Sequence, residues 1–145
     1  MNEIYFIVYG EPQGKGRPRF SRTPYGVRTY TPKETELSEA RIGYVFKEEG
    51  DDFFAEAGEP VEIEIVAYHK IPASASNKKK NEMVSQLIRP TKKPDWDNIG
   101  KIVTDALNGI AWHDDAQIVD ARVTKRYTAD KPRVEITIRK GEDVA

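Results

Sequence analysis

The chain has 145 residues, 38% hydrophobic and 32% charged, which predicts one soluble globular domain with a substantial core. It contains no cysteine and two histidines, so disulfide bonds, thiolate nucleophiles and zinc–thiolate sites are excluded, and a hard cation with oxygen ligands is the favoured metal. The apolar runs are too short to cross a bilayer and the first residues do not resemble a signal peptide, so we expect a cytoplasmic protein without membrane association.

The basic residues are concentrated in two segments, although the net charge is only −1. Residues 11–33 and 70–93 together hold 13 of the 23 basic residues and 2 of the 24 acidic ones. Such segments suit a polyanion, since each neutralised phosphate releases counterions; the alternative is that they are merely solvated loops. We predict nucleic-acid contacts from ten of these side chains: Lys15, Arg17, Arg19, Arg22, Arg28, Lys78, Lys79, Lys80, Lys92 and Lys93.

The first half of the chain predicts a strand, a long loop and a helix. Residues 4–9 form an apolar strand that Gly10 ends, and a basic loop follows to residue 30. Thr31-Pro32-Lys33-Glu34 has the pattern of a capping box, so a helix is predicted from here to about Glu49. Its inward stripe is predicted to consist of Leu37, Ala40 and Tyr44.

The second half predicts a strand, two helices and two further strands. VEIEIVAYHK, residues 61–70, alternates as a half-buried strand does, and SASNKKKNEMVSQL predicts a short basic helix capped by Ser76. From Asn98 onward the apolar residues recur at helical spacing, which predicts an amphipathic helix. Residues 117–127 and 133–139 are predicted strands joined by the turn TADKP. Because no repeat or linker is visible, we predict one α+β domain over residues 1–145.

Two carboxylates stand one residue apart in KKPDWDNIGK, residues 92–101. If the segment before the helix is extended, Asp95 and Asp97 point to one side, and two anions so close favour a cation between them. Asp97 or Asn98 as a helix cap is the alternative, but it accounts for only one carboxylate. Trp96 would then project to the opposite side and is predicted to join the core rather than to stack on a base.

A calcium-binding loop is a second alternative, because DWDNIG resembles the start of an EF-hand. That motif needs an oxygen ligand at its fifth position and a glutamate at its twelfth, and this chain has Ile99 and Ala106 there. The alternative is therefore rejected.

A third carboxylate is available at Asp115, after the helix. The strand that returns from this point is expected to bring Asp115 back beside Asp95 and Asp97, which would complete a metal site. The alternative is an ordinary acidic turn.

The stretch KPDWDNIGKIVTDALNGIAWHDDAQIVDARVTKRY, residues 93–127, combines D-x-D-N-x-x-K with D-D-x-Q about twenty residues later. It resembles the RusA family of Holliday junction resolvases, in particular the prophage type. The resemblance implies an α+β domain in which a mixed, mainly antiparallel sheet packs against two main helices. It also implies that Asp95, Asp97 and Asp115 are catalytic and bind metal and that Lys101 is catalytic.

The function implied by this resemblance is paired, symmetric nicking of four-way DNA junctions in recombination and repair. The resemblance also implies a homodimer that needs Mg²⁺, with Mn²⁺ as the alternative metal, and that uses no organic cofactor. Lys101 would reach the scissile phosphate or orient a metal-bound water. The alternative interpretation of Lys101 is an ordinary ion pair with Asp97 or Asp105. Asn98 and Asp114 are predicted to support the site, with a turn residue as the alternative for Asp114.

The two histidines receive no catalytic role. His113 is predicted to be an exposed turn residue, and His69 lies in a strand far from the motif. Two other functions remain open: a nuclease acting more broadly on flaps and forks, and a protein that binds junctions without cutting them.

Overall fold

A computed structural model describes residues 1–17, 19–30, 32–50 and 52–145 of the chain. Helices and strands alternate irregularly along these residues, which confirms the predicted α+β class. The elements are β1 (Glu3–Tyr9), β2 (Arg19–Thr23), β3 (Gly26–Tyr30), α1 (Lys33–Glu49), β4 (Val61–Lys70), α2 (Asn77–Val84), α3 (Trp96–Leu107), β5 (Ile118–Thr128) and β6 (Arg133–Lys140).

The main sheet has four strands in the order β1-β6-β4-β5. β4 pairs with β5 in parallel and the other neighbours are antiparallel, so the predicted mixed, mainly antiparallel sheet is confirmed. The strands on either side of the TADKP turn are not neighbours, because β4 lies between β5 and β6. The parallel pair is feasible because the connection from β4 to β5 contains both α2 and α3, which gives the chain enough length to cross the sheet.

The core lies between one face of this sheet and helices α1 and α3. In β4, Val61, Ile63, Ile65 and Ala67 are buried and alternate with more exposed residues, as a strand with one covered face requires. Three phenylalanines, Phe6, Phe46 and Phe53, pack edge to face with ring centroids 5.8 and 6.4 Å apart. The residues of β4 on the opposite face, Glu62, Glu64, Val66 and Tyr68, are half-buried.

Helix α1 buries a different face from the predicted one. Its buried residues are Thr35, Ile42, Gly43 and Phe46, whereas the predicted inward residues Leu37, Ala40 and Tyr44 are exposed. The reason is close packing against α3 and the turn after it: a Cβ atom on Gly43 would lie 3.8 Å from Ala106 O and 3.4 Å from Ile110 Cδ1, which leaves little room for a larger side chain. Pro32 is the residue before the helix and makes no side-chain capping bond, while Thr31 lies outside the described residues.

Helices α2 and α3 form where the sequence predicts them. Ser76 Oγ accepts a hydrogen bond from Lys79 N (3.3 Å) at the start of α2, which is the predicted cap. Helix α3 buries Ile99, Ile102, Val103 and Leu107, and it begins at Trp96, two residues earlier than predicted. None of the helices in the described part of the chain has both the length and the apolar character needed to span a bilayer.

Candidate active site

Asp95 immediately precedes α3 and Asp97 lies in its first turn. Asp95 is the residue before the helix: its backbone is extended, its carbonyl accepts from Ile99 N (3.1 Å), and its carboxylate makes no capping bond. Both carboxylates are exposed, and among the described residues neither has an ion-pair partner within 4 Å. The side-chain cap that was the alternative is therefore not what the structure shows, and both carboxylates stand exposed at the positive end of a helix, which favours negative charge.

Lys101 follows Asp97 by one helical turn and is exposed. Asp105, one of its two expected ion-pair partners, is instead 3.2 Å from Lys15 Nζ. Over the described ranges Lys101 forms no salt bridge within 4 Å, so the ordinary ion-pair alternative is not what the structure shows. Its ammonium group remains available for an anion near the carboxylate pair.

Asp115 opens a short 3₁₀ turn, Asp115–Gln117, directly before β5. Asp114 caps this turn, since its carboxylate accepts from Ala116 N at 3.3 Å. Gln117 holds the turn in place: its Nε2 donates to three carbonyl oxygens of the loop at residues 55–59, and its Oε1 accepts from His113 N and Asp114 N at 2.9 and 3.1 Å. Asp114 and Gln117 therefore form a rigid support that presents the exposed Asp115 carboxylate to solvent.

The structure does not bring Asp115 beside the other two carboxylates. Helix α3 rises about 15 Å between Asp97 and Leu107, and the chain reaches Asp115 only after the far end of that helix. Strand β5 then runs back along α3, so that its middle lies next to the start of the helix: a Cβ on Gly100 would be 3.4 Å from Val123 Cγ2. Within the described residues no group of three Asp, Glu or His side chains is placed to hold one metal ion.

Trp96 lies between the two aspartates and is 65% exposed, so the prediction that it joins the core is wrong. The prediction assumed an extended segment through Asp97, whereas the helix already begins at Trp96. The strand-like alternation from which Asp95 and Asp97 were predicted to point to one side is therefore also absent. The ring lines a groove of about 610 Å³ beside the middle of β5. The groove's other lining residues are Glu64, Arg89, Pro90, Arg122, Val123, Thr124, Lys125 and Arg126.

The N-terminal loop crosses the start of α3 and brings the first basic segment to this site. Lys15 N donates to Asn98 O at 2.9 Å, and a Cβ on Gly14 would lie 2.8 Å from Pro94 Cβ, so only glycine allows so close a crossing. This contact uses only the main chain of Asn98, so a supporting role for its side chain stays a prediction.

Lys15 itself is placed differently from a DNA contact. Its side chain is only 20% exposed, and its ammonium group lies between Glu39 of α1 and Asp105 of α3. Burial alone would lower its pKa, but the hydrogen bonds to the two carboxylates outweigh that and raise it. Lys15 is thus a charged link between the two helices, and its ammonium group is already paired with two carboxylates.

The other predicted basic contacts are mostly exposed. Arg19, Arg22 and Arg28 stand on a hairpin formed by β2 and β3, within what the sequence predicted to be a loop, and Arg17 precedes it. Lys92 and Lys93 lie directly before Asp95, and Lys78 and Lys79 are on α2, where Lys80 is half-buried. In the hairpin, Phe20, Arg22, Val27 and Thr29 share one face, and Tyr25 at its turn is 100% exposed.

The histidines lie away from the carboxylate pair. His113 is exposed, as predicted, and its ring packs on Phe54 with centroids 5.1 Å apart. His69 is buried in β4 with Nδ1 3.4 Å from Glu11 Oε1, and burial lowers its pKa even though Glu11 acts in the opposite direction.

Three residues near the candidate site were not predicted from the sequence: Gln117, Arg122 and Arg126. The role of Gln117 depends on the loop at residues 55–59 folding against it, which the sequence does not reveal. A signal for the two arginines does exist, because Arg122, Thr124 and Arg126 are spaced i, i+2, i+4 and so lie on one face of a strand that the sequence predicts.

A protein family model matches the part of the chain that contains all of the site residues described above. The family model described as Endodeoxyribonuclease RusA matches residues 9–139. YqaN of Bacillus subtilis (strain 168), described as an uncharacterized protein, is 39% identical over 141 residues, which cover 96% of this chain and 97% of YqaN.

Proposed function

Because the chain belongs to the RusA endodeoxyribonuclease family of Holliday junction resolvases, we propose that it resolves four-way DNA junctions by paired, symmetric nicks in a Mg²⁺-dependent reaction, with Mn²⁺ as a substitute. The reaction would serve DNA recombination and repair. The observation that carries the proposal is the exposed, unneutralised pair Asp95 and Asp97 at the start of α3, followed one turn later by the unneutralised Lys101.

The metal ligands in this proposal are Asp95, Asp97 and Asp115. Their chemistry fits, because carboxylate oxygens are the ligands that Mg²⁺ prefers, and all three are exposed without a protein cation to neutralise them among the residues described. Mg²⁺ bound there would supply an activated water and neutralise charge that develops on the phosphate. The chain itself supplies a rigid helix start for two ligands and the Gln117-supported turn for the third.

The three ligands would come from two chains. A metal–carboxylate bond is only about 2.1 Å long, and α3 separates Asp97 from the turn of Asp115 by about 15 Å or more. We therefore propose that the homodimer places Asp115 of one chain beside Asp95 and Asp97 of the other. A two-fold axis would then create two equivalent sites, which suits two opposed strands of a junction.

Lys101 would contact the scissile phosphate. A lysine is a compact point charge that stabilises the extra negative charge of the transition state, and this one has no competing carboxylate within 4 Å in the described part of the chain. The exposed cations around it, on the hairpin, on α2 and at Lys92 and Lys93, would follow the DNA backbone.

The test uses end-labelled four-way junctions, flaps, forks and linear duplex, each with Mg²⁺ or with EDTA. We expect paired nicks in the junction with Mg²⁺ alone, and an Asp97→Asn variant that binds the junction without cutting it. Nicking that persists in EDTA would refute the metal role, and equal cutting of linear duplex would refute junction specificity. Equal cutting of flaps and forks would favour a broader branched-DNA nuclease, and binding without any cutting would favour a junction-binding protein.

A further inference from the structure

We infer that the groove beside Asp95 and Asp97 holds the DNA strand next to the cleaved phosphate, and that Trp96 stacks on a base exposed at the branch point. The inference rests on the proposed function and adds the contact that selects the substrate. It assigns a role to the largest side chain that the helix start leaves in solvent.

The position of Trp96 places the groove next to the proposed metal ligands. The residue is flanked directly by the two candidate ligands and is 65% exposed, in contrast to Trp112, which is fully buried in the core. An indole ring left in water at this point has no packing role towards the core. A nucleotide whose phosphate lies at Asp95 and Asp97 would bring its own or the adjacent base within reach of that ring.

The walls of the groove favour a polyanion. Arg122 and Arg126 are exposed on the same face of β5, and neither forms an ion pair within 4 Å among the described residues. Glu64 is the one acidic residue of the lining, against Arg89, Arg122, Lys125 and Arg126. This charge balance favours DNA over a peptide or an apolar ligand.

The groove is also rigid. Arg89 donates through Nε and Nη2 to Lys125 O at 3.2 and 3.1 Å, and Lys125 Nζ donates in turn to Lys92 O. These bonds fasten the segment before α3 to β5, so the backbone that carries Trp96 is held at a fixed position relative to that of Arg122 and Arg126. A fixed aromatic platform lined by cations is the usual way to bind unstacked bases without reading their sequence.

Branch-point selectivity follows from base accessibility. In a linear duplex every base is stacked inside the helix and its flat face is hidden, whereas the base pairs at the strand exchange of an open four-way junction lack a stacking neighbour on one side. Stacking of one base on an aromatic ring corresponds to roughly a 5- to 100-fold gain in affinity. The groove would thus favour a junction over a duplex with the same phosphate contacts.

The experiment measures intrinsic tryptophan fluorescence in EDTA, where no cleavage occurs. The chain has two tryptophans and Trp112 is buried, so a change on adding DNA reports on Trp96. We expect a four-way junction to quench the wild-type emission and to protect it from acrylamide. The quench should disappear in Trp96→Phe and be much weaker with linear duplex. Trp96→Ala should bind the junction roughly 5- to 100-fold more weakly.

Tyr44→Ala is the matched control, since Tyr44 is 66% exposed on α1 and is not part of the groove; its affinity should equal that of the wild type. Unchanged, acrylamide-accessible emission in a saturated junction complex would overturn the inference, and an equal quench by linear duplex would overturn its branch-point part. If Trp96→Ala does not fold, the quench in the wild type and its loss in Trp96→Phe still show whether Trp96 contacts the DNA. A quench without any nicking in Mg²⁺ would reject the proposed reaction and leave the groove's role standing.

Discussion

Two inactive variants of this protein should restore each other's activity when they share a dimer. Asp97→Asn removes a proposed metal ligand at the start of α3, and Asp115→Asn removes the proposed ligand beyond its far end. In a homodimer of either variant both sites lack a ligand. In the mixed dimer one site lacks two ligands, but the other combines the intact Asp95 and Asp97 of one chain with the intact Asp115 of its partner chain.

The size of the effect follows from this geometry. Random exchange of equal amounts makes half of all dimers mixed, and each mixed dimer has one intact site of two, so the mixture should nick junctions at about a quarter of the wild-type rate. Its product should also differ. A single working site nicks one strand and leaves a nicked junction, whereas the wild type should release two duplexes.

The assay is co-refolding of the two variants, followed by junction cleavage with Mg²⁺ on denaturing and native gels. The matched control is a mixture of Asp97→Asn with Asp95→Asn, because both changes fall on the same part of the site and no mixed dimer has an intact one. If the Asp97→Asn and Asp115→Asn mixture stays as inactive as its components, although subunit exchange is verified, the two-chain site is refuted.

Three further changes have outcomes that the structure predicts. Gln117→Ala leaves three loop carbonyls without their donor, and chemical denaturation should show a loss of about 1–3 kcal/mol in the free energy of unfolding, with weaker cleavage because Asp115 loses its support. Burial lowers the pKa of His69 below its ordinary 6.5. The stability that the neutral form provides is therefore present above pH 6.5 and is lost as the pH falls towards the lowered pKa. In His69→Gln the free energy of unfolding should decrease less between about pH 7 and pH 5 than it does in the wild type. Lys101→Ala should slow single-turnover nicking by about 100-fold with little change in junction affinity.

Each of these predictions has its own control. Gln117→Glu keeps the acceptor oxygen and removes the donor, so it should resemble the alanine variant in stability; a fully stable Gln117→Ala protein would contradict the role given to that side chain. Equal pH dependence of wild type and His69→Gln would show that other groups dominate acid unfolding. Lys101→Arg is the control that keeps the positive charge. If Lys101→Ala weakens junction binding as much as it slows nicking, the lysine contributes to affinity rather than to stabilising the transition state.

The parts of the fold that depend on local pattern were predictable. Helix α3 follows from apolar residues at helical spacing and β4 from strict alternation, because each pattern alone decides which face is buried. The cap of α2 by Ser76 is likewise a local event.

Features that depend on contact between distant segments were not predictable. The buried face of α1 is set by its approach to α3 at Gly43, which no property of α1 alone reveals. The position of Asp115 depends on which end of α3 the following strand starts from, and the motif spacing in sequence gives no measure of that distance. Trp96 was assigned to the core on the assumption of an extended segment, and a helix beginning one residue after Asp95 was enough to reverse the outcome.

The β2–β3 hairpin has a consequence for how such an enzyme could diversify. Its strands pair with each other, and they pack little against the rest of the described chain. Changes in its length or sequence should therefore leave the core and the carboxylates undisturbed. If the hairpin contacts DNA as proposed, selection could change which DNA shapes bind without altering the proposed catalytic residues, and an engineer could graft a different hairpin onto the same body for the same reason.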